Sequence, residues 1–144
     1  HTTFASAPQC WEAGTPNVSG AVGLARALQF RRDLPEGWQA WEDKLLARLE
    51  QGLSTLDQVR MLGHPRRRSG CLSFTVAGAS PFDLAVLLDQ LGIAVRSGHH
   101  CAQPLLRWLG VEYTLRVSPA CYNTLEEIDA FLSGLERVIP LCTG

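Results

Sequence analysis

Apolar and charged residues are arranged at helical spacing along the first half of the chain. Across residues 38–53 the apolar side chains fall three and four positions apart, and charged residues occupy the other face. This pattern predicts an amphipathic helix, the most regular one in this half. A weaker helical period covers residues 19–33, with Gly20 and Gly23 near its start. The sequence "LPEG" separates the two predicted helices.

Capping residues mark two further helices in the second half. Ser80 precedes Pro81, which suits the first position of a helix, and a glycine follows the last turn. Thr124 and Glu127 have the spacing of a capping box and open a predicted helix over residues 124–139. The apolar residues that these two helices are expected to bury are Leu84, Leu87, Leu88 and Leu91, then Ile128, Phe131, Leu132, Leu135, Val138 and Ile139.

Short runs with strand periodicity lie between the helices. Leu72, Phe74 and Val76 alternate with polar residues, as a half-buried strand requires. This run and "DQVRMLG" are predicted to pair antiparallel around the basic turn "HPRRRSG". Two more strands, "IAVRS" and "YTLRVSP", flank a short helix in "QPLLRWLG". Because helices and strands interleave, the predicted fold class is α/β, with a short antiparallel or mixed sheet covered by helices.

Composition and charge exclude several function classes. The 144 residues are 46% hydrophobic and 19% charged, with a formal net charge of −1. We therefore expect one folded domain without electrostatic attraction to nucleic acid or to an anionic membrane. The basic turn is best explained as a solvated hairpin loop, since no aromatic stacking residues accompany it. The sequence contains neither a secretion signal nor an apolar run of about 18 residues, so we expect a soluble, cytoplasmic protein.

The five cysteines stand at wide and irregular spacings, at Cys10, Cys71, Cys101, Cys121 and Cys142. An odd number at such spacings fits neither a disulfide framework nor a zinc-binding pair. The triplet "HHC" could also suggest a metal, but adjacent residues rarely all point at one ion. Reduced thiols and no metal site are expected.

Cys101 has the sequence surroundings of a reactive thiol. A thiol is a nucleophile only as thiolate, and its pKa falls near positive charge or near a helix start. Arg96, His99 and His100 precede Cys101 closely, and the short helix predicted after it would direct free amides toward it. Gly98 allows the backbone to turn sharply. A buried structural cysteine is the common alternative, and polar, glycine-containing flanks argue against it.

The segment "AVRSGHHCAQPLL", followed by "TLRVSPACYNTLEEID", closely resembles the C-terminal segment of cysteine desulfurases and selenocysteine lyases. These are class V aminotransferase-like enzymes that use pyridoxal phosphate. Further upstream, "WEAGTPN" resembles the "FEAGTPN" of that family, and the resemblance extends over residues 11–139. It implies the small domain of pyridoxal-phosphate fold type I. It also implies a cysteine desulfurase, which takes sulfur from L-cysteine, releases L-alanine and supplies iron–sulfur cluster or related sulfur assembly.

The resemblance implies catalytic roles for residues of the cysteine segment. Cys101 is at the position of the family cysteine that attacks the substrate sulfur and becomes a persulfide. For His99 and His100 two roles stay open, since either could tune the thiol or move protons and either could simply shape the loop. The short segment resembles that of the second group of desulfurases, which hand sulfur to a dedicated acceptor protein.

The resemblance implies binding roles for four other residues. Arg116 matches the arginine that binds the substrate carboxylate, a task that suits the planar guanidinium fork. Arg96 matches a position near the cofactor and the cysteine loop, with a less defined role in substrate binding. Gly14 and Thr15 match the "GTP" turn, which reaches the cofactor phosphate of the other subunit in a homodimer.

The sequence departs from the family pattern in its lysine. Pyridoxal phosphate is held by a lysine, and the only lysine here is Lys44, on the polar face of a predicted helix. We therefore predict an N-terminal segment, residues 1–18, and a C-terminal small domain, residues 19–144, with the large lysine-bearing domain absent. Two alternatives stay open. One is a selenocysteine lyase of the same fold, and the other is a cofactor-free fragment or sulfur-carrying module whose Cys101 accepts persulfide from elsewhere.

Overall fold

The chain is described by a computed structural model that covers residues 1–63, 65–66, 68 and 70–143. His64, Arg67 and Ser69, in the basic turn between two predicted strands, lie outside the described residues. In the part of this turn that the structure describes, Pro65 and Arg66 are exposed as expected, whereas Arg68 is half-buried and its Nε–H donates to the Glu50 carboxylate. The chain divides into two compact units, His1–Glu36 and Gly37–Gly144.

The first unit contains a short 3₁₀ turn, Gln9–Trp11, and helix α1, Val18–Arg32. The helix lies within one residue of its predicted bounds. Asn17 caps it, because the Asn17 Oδ1 atom accepts a hydrogen bond from the Gly20 N–H at 2.8 Å. Every residue of α1 is exposed, including the large apolar side chains of Val22, Leu24, Leu28 and Phe30. The predicted helix is confirmed, but its apolar period does not mark a buried face within this unit.

The second unit contains the other described elements. They are α2 (Trp38–Leu53), β1 (Val59–Met61), β2 (Leu72–Val76), α3 (Pro81–Gln90), β3 (Arg96–Gly98), α4 (Gln103–Trp108), β4 (Thr114–Val117) and α5 (Leu125–Cys142). Helix α2 has the predicted bounds. The capping box of Thr124 and Glu127 is present at the start of α5, and the Ser80 hydroxyl accepts hydrogen bonds at the start of α3. Local capping chemistry thus places these helices as the sequence predicts.

The described strands form an antiparallel sheet in the order β1-β2-β4-β3. This confirms the α/β fold class and the predicted pairing of β1 with β2. Successive side chains of a strand point to opposite faces of a sheet. On one face, Leu72 and Phe74 of β2 lie opposite Val117 and Leu115 of β4, and they join the apolar core with α2, α3 and α5. This side is the helix face.

The opposite side of the sheet is the arginine face, defined by Ser73, Thr75, Arg96, Gly98, Thr114 and Arg116. These residues alternate along the strands with those of the helix face. Strands β2 and β4 therefore contribute to the apolar core and to the arginine face at the same time, whereas β3 contributes Arg96 and Gly98 to the arginine face. Strand β3 runs directly into the segment that holds Cys101.

The end of α3 differs from the prediction. Leu91 is 39% exposed rather than buried, because α3 ends at Gln90 and Leu91 is its C-cap residue. The N–H of Ile93 donates to the Leu88 carbonyl at 3.0 Å, which closes the end of the helix. Because the Ile93 N–H is hydrogen-bonded to α3, Ile93 does not pair in the sheet, and strand β3 begins at Arg96, three residues later than predicted.

Helix α5 is longer than predicted. It continues past Ile139 to Cys142, with Pro140 in its exposed last turn, where water can satisfy the carbonyl that loses its N–H partner. Leu87 and Leu132 were expected in the core and are half-buried at its edge. Within the described part of the chain, none of the helices has the length and apolar character needed to cross a bilayer.

Candidate active site

Residues 98–102 form the cysteine loop, which joins β3 to α4 through left-handed backbone. Gly98 has a φ of 123°, and His100 and Cys101 have φ values of 54° and 58°. Left-handed backbone costs a residue with a side chain roughly 1–2 kcal/mol, so two such residues in succession persist only where the surroundings hold them. Cys101 is exposed. The turn therefore presents the thiol to solvent.

His100 is anchored to the neighbouring strand. Its Nε2 atom lies 2.9 Å from the Thr114 hydroxyl oxygen and 3.3 Å from the Thr114 carbonyl oxygen. Thr114 is fully buried. The contact links the residue before Cys101 to β4, two positions from Arg116 on the same face of the sheet.

The environment of the His100 ring favours its neutral form. Burial lowers the pKa of His100 below its ordinary value, and the positive charge of Arg116 lowers it further. Arg96 and His99 act in the same direction more weakly, while the hydrogen bond with the Thr114 carbonyl opposes them. At neutral pH the ring therefore has a lone pair that can accept a proton.

Two arginines stand side by side on the arginine face. Arg96 of β3 is directly opposite Arg116 of β4 in the antiparallel register. Like charges in such a pair are destabilising. The Nε atom of Arg116 is also buried without a hydrogen-bond partner among the residues that the structure describes.

Both features of the arginine pair indicate an anion site. A buried donor without a partner is costly, and a bound oxygen anion would satisfy it and offset the repulsion between the two guanidinium groups. A carboxylate suits the planar fork of Arg116 because it can accept two parallel hydrogen bonds. The structure thus brings Arg96, Arg116 and His100 together beside the loop that carries Cys101.

His99 takes a different direction from His100. Its ring lies 4.6 Å from the ring of Tyr113, which in turn lies 5.0 Å from the ring of Phe82. His99 also borders a cavity of about 330 Å³ together with Gln103 and Glu112. Of the two predicted histidines, His100 contacts Thr114 of β4, and His99 packs against the aromatic ring of Tyr113.

The predicted cofactor residues, Gly14 and Thr15, belong to the first unit, and the lysine of the chain belongs to α2 of the second unit. Gly14 has a left-handed φ of 86°, as a glycine turn requires, and both Gly14 and Thr15 are exposed in the first unit. Their contact with a cofactor phosphate stays a prediction. Lys44 is exposed on α2 with its Nζ atom 5.4 Å from the centroid of the Trp41 ring. An exposed lysine stacked on a tryptophan does not fit a Schiff-base lysine, so the chain's own residues do not complete a pyridoxal phosphate site.

Sequence reasoning missed Thr114 and Tyr113. Thr114 is two residues before Arg116, so strand periodicity could have placed it on the same face. Its pairing with His100 across 14 positions depends on the register of β3 and β4, which no local pattern reveals. Tyr113 is recognised as a neighbour of His99 only when the strand and the loop are folded together.

Comparisons with known proteins agree on one family. The sequence profile of the aminotransferase class-V family matches residues 1–131. A protein of Xylella fastidiosa named "Probable cysteine desulfurase" is 43% identical over 138 residues, which cover 95% of this chain and 33% of that protein. The chain thus spans about a third of the length of this relative, and 19% of the length of a protein of the same name from Mycolicibacterium paratuberculosis, which is 46% identical over 132 residues.

Solved structures show the same likeness. The crystal structure of the Escherichia coli cysteine desulfurase CsdA, in an S-sulfonic acid form, has a TM-score of 0.86 at 40% identity. That match covers 97% of this chain and 35% of the other. A C-DES variant with glycine covalently linked to its pyridoxal phosphate cofactor has a TM-score of 0.68 at 25% identity, over 93% of this chain and 33% of the other.

Proposed function

The chain belongs to the class-V aminotransferase family, and from this premise we propose that it is part of a longer, pyridoxal phosphate-dependent cysteine desulfurase. The enzyme takes sulfur from L-cysteine, releases L-alanine and leaves a persulfide on Cys101. One observation carries the proposal: an exposed cysteine on a left-handed loop follows the strand of an arginine pair, in which a buried donor has no partner among the described residues. The similarity to proteins named cysteine desulfurase supports it.

Cys101 is the sulfur acceptor in this proposal. Its thiolate attacks the Sγ atom of the substrate, so that a new S–S bond forms while the substrate's Cβ–Sγ bond breaks. The β-carbon keeps the electron pair of the broken bond and takes up a proton to become the methyl group of alanine. Pyridoxal phosphate, when bound, supplies the electron sink that such a bond cleavage needs. The neutral His100 ring, next in sequence, is suited to take the proton of the Cys101 thiol.

Arg116 binds the α-carboxylate of the substrate in this proposal, and Arg96 adds positive charge beside it. The bidentate contact would give the buried Arg116 Nε atom its partner and fix the orientation of the amino acid. The substrate sulfur is thereby directed toward the loop that follows β3.

Several parts of the proposed enzyme lie outside this site. The lysine that holds the cofactor belongs to other residues of the longer protein, because Lys44 does not fit that role. Gly14 and Thr15 contact the cofactor phosphate of a second subunit in a homodimer. Cys101 passes its sulfur to an acceptor protein. Cytoplasmic location fits the five free thiols.

The experiment uses the longer protein with its cofactor bound. After one turnover with L-cysteine, the peptide that contains Cys101 should gain the mass of one sulfur atom, and L-alanine should appear in equal amount. Cys101→Ser should abolish both products. Cys121→Ser is the matched control and should leave both unchanged, since Cys121 is half-buried near α2, where its N–H donates to Glu42. Persulfide on another cysteine, or alanine formation by Cys101→Ser, would contradict the proposal.

A further inference from the structure

Thr114 is an unusual residue for its position. Among residues 1–63, 65–66, 68 and 70–143, Thr114 is the one polar residue that is fully buried. Its hydroxyl is 2.9 Å from His100 Nε2, and its carbonyl oxygen is 3.3 Å from the same atom. A buried hydroxyl needs a hydrogen-bond partner, and the His100 ring is the partner that the structure provides.

The two contacts favour one tautomer of His100. The Thr114 carbonyl oxygen can only accept a hydrogen bond, so it attracts Nε2 only if that nitrogen carries a proton. An unprotonated Nε2 would face the carbonyl lone pairs with its own lone pair. With the proton on Nε2, the ring donates toward both oxygens of Thr114, and Nδ1 is left as the acceptor.

The same contacts restrain the backbone of the cysteine loop. His100 and Cys101 both have left-handed φ values, which ordinary side chains avoid. His100 cannot return to a common conformation without withdrawing its ring from Thr114. The bond across 14 positions therefore acts on the backbone that presents Cys101, although Thr114 itself is fully buried.

We propose that Thr114 is a positioning residue of the cysteine loop. Its hydroxyl and carbonyl hold His100 as the Nε2–H tautomer and keep Cys101 in its left-handed, exposed conformation. The consequence for sulfur transfer rests on the function proposed above, whereas the tautomer and the loop conformation do not. The charged and titratable groups that act on the ring are Arg116 on β4, Arg96 on β3 and His99 in the loop itself.

The test compares Thr114→Val, which keeps the shape and removes the hydroxyl, with Thr114→Ser, which keeps the hydroxyl. Thr75→Val is the control, because Thr75 lies on the same face of the sheet, on β2. All variants are made in the longer protein with its cofactor bound, which is the parent protein of this test. Comparison with His100→Asn assigns the ring ¹⁵N and ¹³C resonances of His100, which can then be followed through a pH titration. Thr114→Ala replaces Thr114→Val if the latter does not fold.

Thr114→Val removes the 2.9 Å contact with the hydroxyl and leaves the 3.3 Å contact with the backbone carbonyl. The ring should therefore be more exposed to water, its titration should move upward towards its ordinary value, and both tautomers should be populated. Single-turnover persulfide formation should fall about fivefold, the change expected for loss of one hydrogen bond. The KM for cysteine should stay within about twofold, since Arg116 is untouched. Thr114→Ser and the control should behave like the parent protein.

Two outcomes overturn the inference. One is a His100 titration and tautomer in Thr114→Val that match those of the parent protein. The other is a Thr114→Ser variant as impaired as Thr114→Val. If the parent protein forms no persulfide, the proposed function fails by itself, and the His100 titration still decides the role of Thr114.

Discussion

On the helix face of the sheet, Leu72, Phe74 and Leu115 are buried in one continuous apolar core. On the opposite side of the sheet, the arginine face, Arg96 of β3 lies opposite Arg116 of β4. The buried Arg116 Nε atom has no hydrogen-bond partner among the described residues. The first face consists of apolar side chains packed against other apolar side chains. The second contains repulsion and an unsatisfied donor, both of which cost stability.

The difference shows that neighbouring residues of a strand can have different roles, one in the core and one in the candidate site, because they point to opposite faces of the sheet. On β4, Leu115 stabilises the core while its neighbours Thr114 and Arg116 belong to the candidate site, and these residues differ in the face they occupy. Functional sites are where proteins retain arrangements that reduce stability. Changes on the helix face should therefore destabilise the fold, and changes at Arg96 and Arg116 should alter binding at little cost in stability.

Phe74→Ala should give the largest effect on stability. Phe74 is fully buried and packs edge to face against Phe131 at 6.4 Å between ring centroids. Removing such a ring lowers the free energy of unfolding by about 3–5 kcal/mol. Urea unfolding measures the loss. Ser73→Ala, the adjacent residue on the arginine face, is the control and should change it by about 0.5 kcal/mol or less.

Arg116→Ala should weaken binding rather than folding. In the proposed desulfurase the substrate carboxylate would lose a bidentate partner, an effect on the order of 2–4 kcal/mol in cysteine affinity. The free energy of unfolding should stay the same or rise slightly, because the repulsion with Arg96 is relieved. Affinity for cysteine and urea unfolding are measured on the same protein. A loss in the free energy of unfolding as large as that of Phe74→Ala would show that the arginine face stabilises the fold as much as the helix face does.

Gly52→Ala tests the packing of the helices over the core. A Cβ atom at Gly52 of α2 would clash with the branched end of Leu132 on α5, with the Leu132 Cγ atom at 3.0 Å, so the whole side chain has to move. Overpacking costs about 1–3 kcal/mol and outweighs the gain of up to about 1 kcal/mol in helix propensity. We expect a lower thermal midpoint. Gly23→Ala in α1, where nothing lies within 4 Å, should not lower it; a decrease there of similar size would show that the crowding at Gly52 is not the cause.

The pH dependence of stability should be the smallest effect. Because burial and Arg116 lower the pKa of His100 in the folded chain, the unfolded chain binds more protons at mildly acidic pH. Stability from this group is complete above the ordinary histidine pKa and decreases as the pH falls below it. His100→Asn should reduce the difference between urea midpoints measured at neutral and mildly acidic pH. An unchanged difference would show that His100 does not titrate with folding.

Local chemistry explains which elements were predictable. The bounds of α2 follow from its apolar period, and α3 and α5 begin where Ser80 and Thr124 cap them. Each of these features involves residues a few positions apart. The exact start of β3 was missed because the Ile93 N–H donates to the Leu88 carbonyl at the end of α3. The strand-like pattern includes Ile93, but this hydrogen bond keeps it out of the sheet.

The candidate site was predictable only in part. Cys101, Arg96 and Arg116 stood out through their motifs, yet the register that sets the two arginines opposite each other is a property of the folded sheet. The role of Thr114 was invisible for the same reason. A threonine in a strand is ordinary, and only its contact with His100 makes this one distinctive.

The left-handed backbone at His100 and Cys101 also restricts which amino acids can occupy these two positions. Glycine, asparagine and aspartate tolerate such φ values, whereas threonine, valine and isoleucine are strongly disfavoured. A library randomised at both positions and selected only for folded protein should be depleted of β-branched residues before any chemistry is tested. An oxygen nucleophile in place of the thiol should therefore be introduced as serine, because threonine would change the backbone together with the reacting atom.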